Sequence, residues 1–291
     1  MLSGVPLTPC RAAVLGSPIE HSLSPILHRT AYAELGLAQW SYEKFAVGGE
    51  GESSLLKFLA GRDSQWLGFS VTMPLKEDAL AISVAASGHA REMGAANTLV
   101  RTDRGWIADS TDAYGALEAL LEAGVGQGGR SPRRAVLLGA GATARSVIDA
   151  LGRLGVREIV FVVRTTVRPE TEQLATRRGI AVAHEAGLAR GHLDRLIASA
   201  DVTVSTLPTG TDLGLDPVPA GTLAGRVLMD VVYGGWPTPL ARWAADAGAT
   251  TISGLGMLVH QAGEQVRLMT GLPAPVAAMR AAVLAHLDSG S

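Results

Sequence analysis

The 291-residue chain has little of several residue types, and each shortage excludes a class of protein. Cys10 is the only cysteine, so an internal disulfide is excluded. No apolar run approaches the roughly 20 residues that cross a bilayer, and the first residues have neither a basic flank nor a long apolar run. The net charge of -2 gives no basic footprint for nucleic acid or an anionic membrane. We therefore expect a cytoplasmic protein that binds neither. The sequence leaves open whether it is a monomer or a homodimer.

Lysine is also scarce, because only Lys44, Lys57 and Lys76 among the 25 basic residues are lysines. Lys76 follows an apolar run that predicts a strand, and Pro74 suits the first position of a helix. Lys76 would then be about the third helical residue, where the helix dipole favours the neutral amine by a few tenths to about 1 kcal/mol. Lysine can release its proton, whereas arginine cannot. Lys76 is therefore a candidate acid/base group, and a solvated surface lysine is the alternative.

Strand-like runs alternate with helical patterns, which predicts an α/β fold with parallel sheets. The length exceeds that of a usual single core, so two domains are expected. A segment rich in glycine and arginine, residues 124–134, predicts a surface loop. In the first half we predict strands at 12–15, 42–47, 66–71 and 98–101, and helices from 25, up to 60 and from 74.

A glycine turn follows the predicted loop. The apolar run 135–138 leads into Gly-x-Gly-x-x-Ala and then into a helix to about residue 154, the form of the dinucleotide fingerprint. Gly139 allows the tight turn, Gly141 lets the backbone approach a pyrophosphate, and Ala144 keeps the helix close to the strand. The first amides of the helix would then bind the phosphates.

The next predicted strand, 159–163, ends in arginines rather than in an acidic residue. An aspartate or glutamate there would hold the ribose of NAD, whereas Arg164 and Arg168 suit a 2′-phosphate. The sequence therefore predicts NADP as the cofactor. The alternative is that both arginines are solvated loop residues.

Two serines precede the first predicted helix. Ser22 and Ser24 lie two residues apart, so in an extended loop both hydroxyls point the same way and could bind a polyhydroxylated or carboxylate ligand. Ser24 stands before Pro25 and is equally suited to cap the helix.

Three further polar residues could each have either a functional or a purely structural role. Asp112 could serve chemistry or be only a carboxylate at a helix N-terminus. Asn97 just precedes a strand, where a turn role is as well supported as a ligand role. Gln261 lies one turn after Met257, so both can share an apolar helix face, where a polar side chain is more often satisfied within the core than functional.

The order of these segments resembles the shikimate dehydrogenase family from about residue 13 to residue 287. The resemblance rests on seven motifs, and their combination is highly specific although each alone is weak. The motifs are Gly-Ser-Pro-Ile-x-His-Ser-x-Ser-Pro from Gly16, Val-Thr-Met-Pro-x-Lys from Val71, Gly-Ala-Ala-Asn-Thr from Gly94, Thr111-Asp112, the turn from Gly139, Asp230-Val231-Val232-Tyr233 with Trp236-Pro237-Thr238-Pro239-Leu240, and Gly254-Leu255-x-Met257-Leu258-Val259-x-Gln261-Ala262.

The resemblance implies a reversible, NADPH-dependent reduction of 3-dehydroshikimate to shikimate in aromatic amino-acid (chorismate) biosynthesis. It implies a Rossmann-type NADP domain over 110–251 and a discontinuous substrate domain over 1–109 and 252–291, built on an open, twisted, mainly parallel sheet. No metal site is predicted.

The resemblance also implies roles for individual residues. Lys76 and Asp112 match the catalytic pair. The matching substrate-binding residues are Ser22, Ser24, Thr72, Asn97, Tyr233 and Gln261. The matching cofactor-binding residues are Gly139, Ala140, Gly141, Ala142, Thr143, Ala144, Arg164, Thr165, Arg168, Thr206, Val231, Gly254 and Met257.

The chemistry of the pair agrees with this assignment. Oxidation of a secondary alcohol sends a hydride to nicotinamide and leaves a hydroxyl proton, which a base within hydrogen-bond reach must remove. Lys76 supplies an amine for that step. Asp112 can orient the same hydroxyl and balance the charge of the ammonium that forms.

Four departures from the family pattern leave alternatives open. Ser110 replaces an asparagine, Ala142 a glycine and Val163 an asparagine, while residues 234–235 are Gly-Gly where an acidic residue and a proline are common. These changes are compatible with a paralogue that acts on quinate or on an amino analogue of shikimate. A non-catalytic dinucleotide-binding regulator is the rival from another class, since a fold does not fix an activity.

Overall fold

The computed structural model describes residues 9–129, 131–186 and 192–289, and the predicted α/β class is confirmed. The chain divides into two compact units. The first comprises residues up to Thr111 together with those from Val259 onward, and the second is Asp112–Leu258. The predicted domain bounds, 1–109 with 252–291 and 110–251, stay a prediction.

Strands and helices alternate along the described residues. The strands are β1 Cys10–Gly16, β2 Trp40–Ala46, β3 Trp66–Val71, β4 Ala85–Ala86, β5 Thr98–Thr102, β6 Gly105–Asp109, β7 Arg134–Leu138, β8 Glu158–Val163, β9 Ala181–Ala186, β10 Val202–Ser205, β11 Val227–Asp230 and β12 Thr250–Ser253. The helices are α1 Ser24–Glu34, α2 Leu55–Ala60, α3 Lys76–Ile82, α4 Gly88–Met93, α5 Asp112–Glu122, α6 Ala142–Arg153, α7 Pro169–Arg177, α8 Leu193–Ala198, α9 Pro239–Asp246, α10 Gly254–Thr270 and α11 Val276–Ser289.

The first unit contains a six-stranded sheet in the order β2-β1-β3-β5-β6-β4. Its pairs are parallel except that β5 runs antiparallel to both neighbours, β3 and β6. The sheet is therefore mainly parallel. Its centre is apolar, with Leu15, Phe69 and Leu99 fully buried and the rings of Trp66 and Phe69 stacked at 5.2 Å. Central strands buried on both faces require such near-continuous apolar runs.

The second unit contains a six-stranded, entirely parallel sheet in the order β12-β11-β10-β7-β8-β9. The chain crosses to β8 on one side of β7 and to β10 on the other. In parallel sheets such a reversal of strand order opens a crevice at the carboxyl ends of the strands, where nucleotides bind. The glycine turn after β7 lies at this point.

Three local predictions need correction. Helix α3 begins at Lys76 and not at Pro74, because Pro74 lies in a turn closed by a bond from the Leu75 N–H to the Thr72 carbonyl at 2.9 Å. Lys76 is therefore the first helical residue and not the third. Ser24 does not cap α1, since the capping position is Leu23 and no side chain caps that end.

The predicted loop at 124–134 is irregular as far as it is described, except that Arg134 already belongs to β7, while Arg130 lies outside the described residues. Among the residues that the structure describes, no helix combines the length and apolar character that a membrane crossing needs.

Candidate functional site

The carboxyl end of β3 carries Thr72 and Lys76, both half-buried. Thr72 donates its backbone N–H to the Leu15 carbonyl at 2.8 Å, and the Lys76 carbonyl accepts the Ala96 N–H at 2.8 Å. Lys76 is thus tied through its backbone to the segment before β5.

The loop after β1 meets this segment at Gly16. A Cβ on Gly16 would overlap the Thr72 side chain and lie 2.8 Å from the Met73 carbonyl oxygen, which also accepts the Ser17 N–H at 2.9 Å. Only glycine permits this approach. The two loops that carry the predicted hydroxyl ligands therefore lie side by side at one edge of the first sheet.

The two serines on that loop occupy different environments. Ser22 is half-buried, and its hydroxyl oxygen accepts the Ser24 N–H at 3.4 Å. Ser24 is buried and bonds the phenol of Tyr42. Lys44 fixes the loop from outside, since its ammonium donates to the Glu20 carbonyl at 2.5 Å. Of the two hydroxyls, that of Ser22 is the more accessible.

Asn97 is the centre of a buried polar cluster in the first unit. Its Oδ1 accepts the Thr111 N–H at 2.9 Å and the Thr98 hydroxyl at 2.8 Å. Its Nδ2 donates to the Thr111 hydroxyl oxygen at 2.9 Å and to Gln261 Oε1 at 3.2 Å. The structure thus brings Asn97 and Gln261 into contact, although 164 residues separate them.

The cluster continues through a residue that sequence reasoning missed. Gln265, one turn after Gln261 on α10, is 1% exposed. It bonds the Asn97 carbonyl, Thr98 and Ser70. The sequence could have indicated Gln265 by its position four residues after Gln261, because residues at that spacing share a helix face.

Asp112 is the first residue of α5, in the second unit, and it is buried. The preceding turn is fixed by Asp109, whose carboxylate accepts the Ser110 N–H at 2.7 Å and the Ser87 hydroxyl at 2.6 Å. Ser110, the departure from the family pattern, is therefore held through its backbone.

A cavity of about 410 Å³ in the second unit is lined by six of the thirteen predicted cofactor-binding residues. The predicted residues along it are Gly139, Ala140, Gly141, Arg164, Thr165 and Arg168. Both arginines are exposed, and the described lining residues include no carboxylate. This donor set fits a phosphorylated dinucleotide, because backbone amides and arginine both donate to phosphate oxygens.

The glycine turn has the geometry that its sequence predicts. Gly139 has φ 98°, in the left-handed region, and a Cβ there would lie 2.6 Å from Thr206 Oγ1. Gly141 is the capping residue of α6, and nothing lies within 4 Å of where its Cβ would be. Ala144 is fully buried, as close helix packing requires. Thr206 is held by its hydroxyl, which donates to the Leu138 carbonyl at 3.0 Å.

The cavity also has lining residues that sequence reasoning missed, namely Val162, Val163, Thr166, Leu207, Pro208 and Thr211. Three of them follow β10, the strand that pairs with β7 so that Ser205 lies opposite Leu138. These three residues could have been predicted only from the sheet topology, since loops after adjacent parallel strands meet at the same edge of the sheet. That prediction needs the strand order, which the sequence pattern left open.

The remaining predicted residues of the second unit lie after β11. A Cβ on Gly254 would overlap the carbonyl oxygen of Val231, so the backbones touch there. Burial raises the pKa of the Tyr233 phenol. Asp230 fixes this loop, because its carboxylate accepts the Thr238 hydroxyl at 2.8 Å and the Val232 N–H at 3.3 Å.

Not all predicted cofactor residues line the cavity. Ala142, Thr143, Ala144, Thr206, Val231, Gly254 and Met257 are absent from its described lining, and Met257 is buried. Their contacts with a cofactor stay a prediction.

Comparison with known proteins identifies the family models and relatives that this chain resembles. A family model described as the shikimate dehydrogenase substrate binding domain matches residues 14–99, and one described as the shikimate 5'-dehydrogenase C-terminal domain matches residues 254–284. A shikimate dehydrogenase (NADP(+)) from Methanopyrus kandleri is 38% identical over 283 residues, 94% of each chain.

Solved structures agree. The chain is similar to the crystal structure of shikimate dehydrogenase from Mycobacterium tuberculosis, with 43% identity, a TM-score of 0.82, and coverage of 95% of this chain and 100% of that one. It is also similar to shikimate 5-dehydrogenase from Thermus thermophilus in complex with NADP(H) and shikimate, with 31% identity, a TM-score of 0.78, and coverage of 95% and 99%. The chain belongs to the shikimate dehydrogenase family.

Proposed function

We propose that this protein is an NADP-dependent shikimate dehydrogenase that reversibly reduces 3-dehydroshikimate to shikimate. The contact at Gly16 carries the proposal, because it places the serine loop beside the segment that ends in Lys76. Hydroxyl donors and a tunable amine at one sheet edge are what a polyhydroxylated acid and its oxidation require. The similar Thermus enzyme binds shikimate and NADP(H), which supports the same ligands here.

The proton chemistry falls to Lys76 and Asp112. When bound, NADP supplies the hydride acceptor for the secondary alcohol. Lys76 takes the hydroxyl proton as the alcohol is oxidised and returns it in the reducing direction. Asp112 orients that hydroxyl and balances the ammonium. These roles rest on the matching motifs and on Lys76 lying at a helix start.

Each unit carries proposed binding residues of its own. In the first, Ser22, Ser24 and Thr72 are proposed to hold the ring and carboxylate. Asn97 and Gln261, which are bonded to each other, are proposed to contact the substrate as well. In the second, the turn from Gly139 and the arginines at 164 and 168 are proposed to hold the phosphates, with Arg164 reading the 2′-phosphate. Tyr233 is proposed to contact the substrate, and Val231, Gly254 and Met257 are proposed to contact the cofactor. No metal is invoked.

The predicted bounds, 110–251 for the cofactor domain and the rest for the substrate domain, are kept as a proposal. We also propose a cytoplasmic monomer or homodimer, as suits a biosynthetic enzyme that uses NADPH.

Turnover assays with shikimate and quinate, each with NADP and NAD, test the function. Quinate carries an extra hydroxyl beside the carboxylate. If the two serines hold that carboxylate, a hydroxyl buried there without a partner costs about 1 to 3 kcal/mol, roughly a 5- to 150-fold preference for shikimate. Comparable kcat/KM for both acids would instead identify a quinate/shikimate enzyme. Cofactor binding without turnover of either acid would identify a regulator.

A further inference from the structure

The loop after β10 separates two cavities in the second unit. Leu207, Pro208 and Thr211 line the cavity of about 410 Å³ described above, and they also line a smaller cavity of about 30 Å³. Residues 207–211, which we call the partition segment, therefore lie between the two cavities. A shift of the partition segment would change the shape of the larger cavity.

Asp230 lies on the inner side of the partition segment. It is 5% exposed, and it borders the smaller cavity but is absent from the described lining of the larger one. Asp230 can therefore influence a ligand in the larger cavity only through neighbouring residues.

Three donors face the Asp230 carboxylate. It accepts the Thr238 hydroxyl at 2.8 Å and the Val232 N–H at 3.3 Å, and it also bonds the Ser205 hydroxyl. Burial raises the pKa of this carboxyl, and the three donors oppose that shift. Because Ser205 ends β10, Asp230 ends β11 and Thr238 caps α9, one carboxylate connects the ends of three elements.

The bond to Ser205 reaches the partition segment most directly. Ser205 lies opposite Asp230 in the sheet, and its carbonyl accepts the Val231 N–H at 3.0 Å. Thr206 follows Ser205 and precedes the partition segment, and its N–H donates to the Leu138 carbonyl at 2.8 Å. The position of Ser205 therefore determines where the partition segment begins.

The partition segment also meets the glycine turn after β7. A Cβ on Gly139 would lie 3.4 Å from Leu207 Cδ2 and 2.6 Å from Thr206 Oγ1. Within the segment, the Thr211 N–H and hydroxyl both donate to the Pro208 carbonyl, at 3.3 and 2.7 Å. The segment is thus closed on itself, and it lies beside the turn that is proposed to bind the phosphates.

We propose that Asp230 is a positioning residue for cofactor binding, which through Ser205 holds the partition segment beside the glycine turn, so that the larger cavity is formed before the dinucleotide binds. This inference rests on the proposed function for the identity of the dinucleotide, NADP. A cavity that is already formed binds more tightly, because less conformational entropy is lost on binding.

Asp230→Asn tests the proposal. An amide offers one acceptor oxygen where the carboxylate offers two, so the variant cannot keep all three bonds as they stand. We expect the Kd for NADP to rise about 3- to 10-fold, the effect of one lost hydrogen bond. The kcat at saturating NADP should stay nearly unchanged. An unchanged Kd in the folded variant would overturn the proposal.

Asp201→Asn is the matched control. Asp201 lies just before β10, at the opposite end of the strand, where its carboxylate accepts the N–H groups of Arg133 and Arg134 at 2.8 and 3.1 Å and pairs with Arg226 at 2.9 Å. The control should lower stability without weakening NADP binding. An equal rise of the Kd in both variants would overturn the proposal, because Asp230 would then act only on general stability.

Ser205→Ala tests the route from Asp230 to the partition segment. It removes the hydroxyl that faces Asp230 and leaves the bond to Thr238 in place. We expect it to raise the Kd for NADP as well, and to add little in the Asp230→Asn background, because both substitutions act on the same bond. Independent effects that multiply in the double variant would overturn the route through Ser205.

Hydrogen exchange followed by mass spectrometry tests the partition segment without a ligand. Its amides should exchange faster in Asp230→Asn than in the wild-type protein, and no faster in Asp201→Asn. Unchanged exchange in Asp230→Asn would overturn the proposal.

The wild-type protein separates this inference from the proposed function. Binding of NADP without turnover of shikimate would refute the proposed function and leave the inference standing, because the inference is measured by NADP binding. A wild-type protein that does not bind NADP would overturn both.

Discussion

The two units hold their candidate residues by different means. In the first unit, side chains fix side chains, as in the bonds among Asn97, Thr111 and Gln261. In the second, the backbone forms the cavity at Gly139 and Gly141, and exposed arginines complete it. A binding pocket for a small acid needs polar side chains whose orientation is fixed. A phosphate site needs backbone amides that are exposed to the ligand. Substitutions in the polar cluster of the first unit should therefore affect substrate selectivity, and those along the cavity of the second unit cofactor binding.

The largest expected effect is that of Lys76→Ala. Loss of an acid/base group lowers turnover by about 10²- to 10⁴-fold, while shikimate should still bind. Steady-state kinetics and shikimate titration measure the two effects. Lys57→Ala, which removes an exposed lysine on α2, is the control and should leave kcat unchanged. Near-normal turnover in Lys76→Ala would refute the assignment.

Two glycines of the second unit should respond in opposite ways. Gly254→Ala forces a methyl group into the Val231 carbonyl, so we expect a stability loss at or beyond the about 1 to 3 kcal/mol of an overpacked core. Gly141→Ala meets open space and should fold normally, yet its methyl group should weaken NADP binding. Urea unfolding measures the stability of both variants, and NADP titration measures their cofactor binding. Unchanged NADP binding in Gly141→Ala would show that the open turn at Gly141 is not kept for the cofactor.

Arg164→Ala should weaken NADP more than NAD. A charge-assisted bond to phosphate is worth about 1.5 to 3 kcal/mol, and NAD lacks the 2′-phosphate. Dissociation constants for both cofactors measure the difference. Arg177→Ala, an exposed arginine in the last turn of α7, is the control. Equal losses for the two cofactors would mean that Arg164 does not read the 2′-phosphate.

The smallest expected effect, taken per pH unit, is a pH dependence of stability from His28. Its pKa falls from 6.5 to about 3 on folding, mainly through burial. Below pH 6.5 the unfolded chain binds a proton that the folded chain does not. Stability is therefore lost as the pH falls from 6.5 toward 3, by at most about 1.4 kcal/mol per pH unit.

His28→Phe keeps a ring against Tyr42, which His28 stacks on at 4.0 Å, and removes the titrating group. Unfolding free energies of both proteins at several pH values should show a shallower acid loss in the variant. Parallel curves would mean that His28 does not contribute to the acid loss.

The sequence predicted the parts of the site that depend on local chain geometry. The turn from Gly139 and the start of a helix near Lys76 depend on neighbouring residues, so pattern and spacing were enough. The fold class and the family are confirmed. The error at Pro74 arose because a proline that suits a helix start also suits a turn, and only the bond from Leu75 to Thr72 distinguishes the two.

The missed residues depend on long-range pairing. Leu207 and Thr211 line the cavity because β10 pairs with β7, and nothing near them in the chain states that order. Gln265 meets Asn97 across 168 residues. A glutamine at a functional site and a glutamine that is only hydrogen-bonded within the core give the same sequence pattern, a polar residue on an apolar helix face. Only the coordinates distinguish the two.

The Gln265 side chain has a consequence for spectroscopy. Both directions of its NH₂ group are engaged, toward the Asn97 carbonyl and the Thr98 hydroxyl, in a part of the protein closed to solvent. Its two amide protons should therefore exchange slowly with deuterium and give separate, dispersed resonances, unlike those of a surface glutamine such as Gln127. If Gln261 and Asn97 contact the substrate as proposed, these resonances should shift on shikimate binding even where no residue moves far.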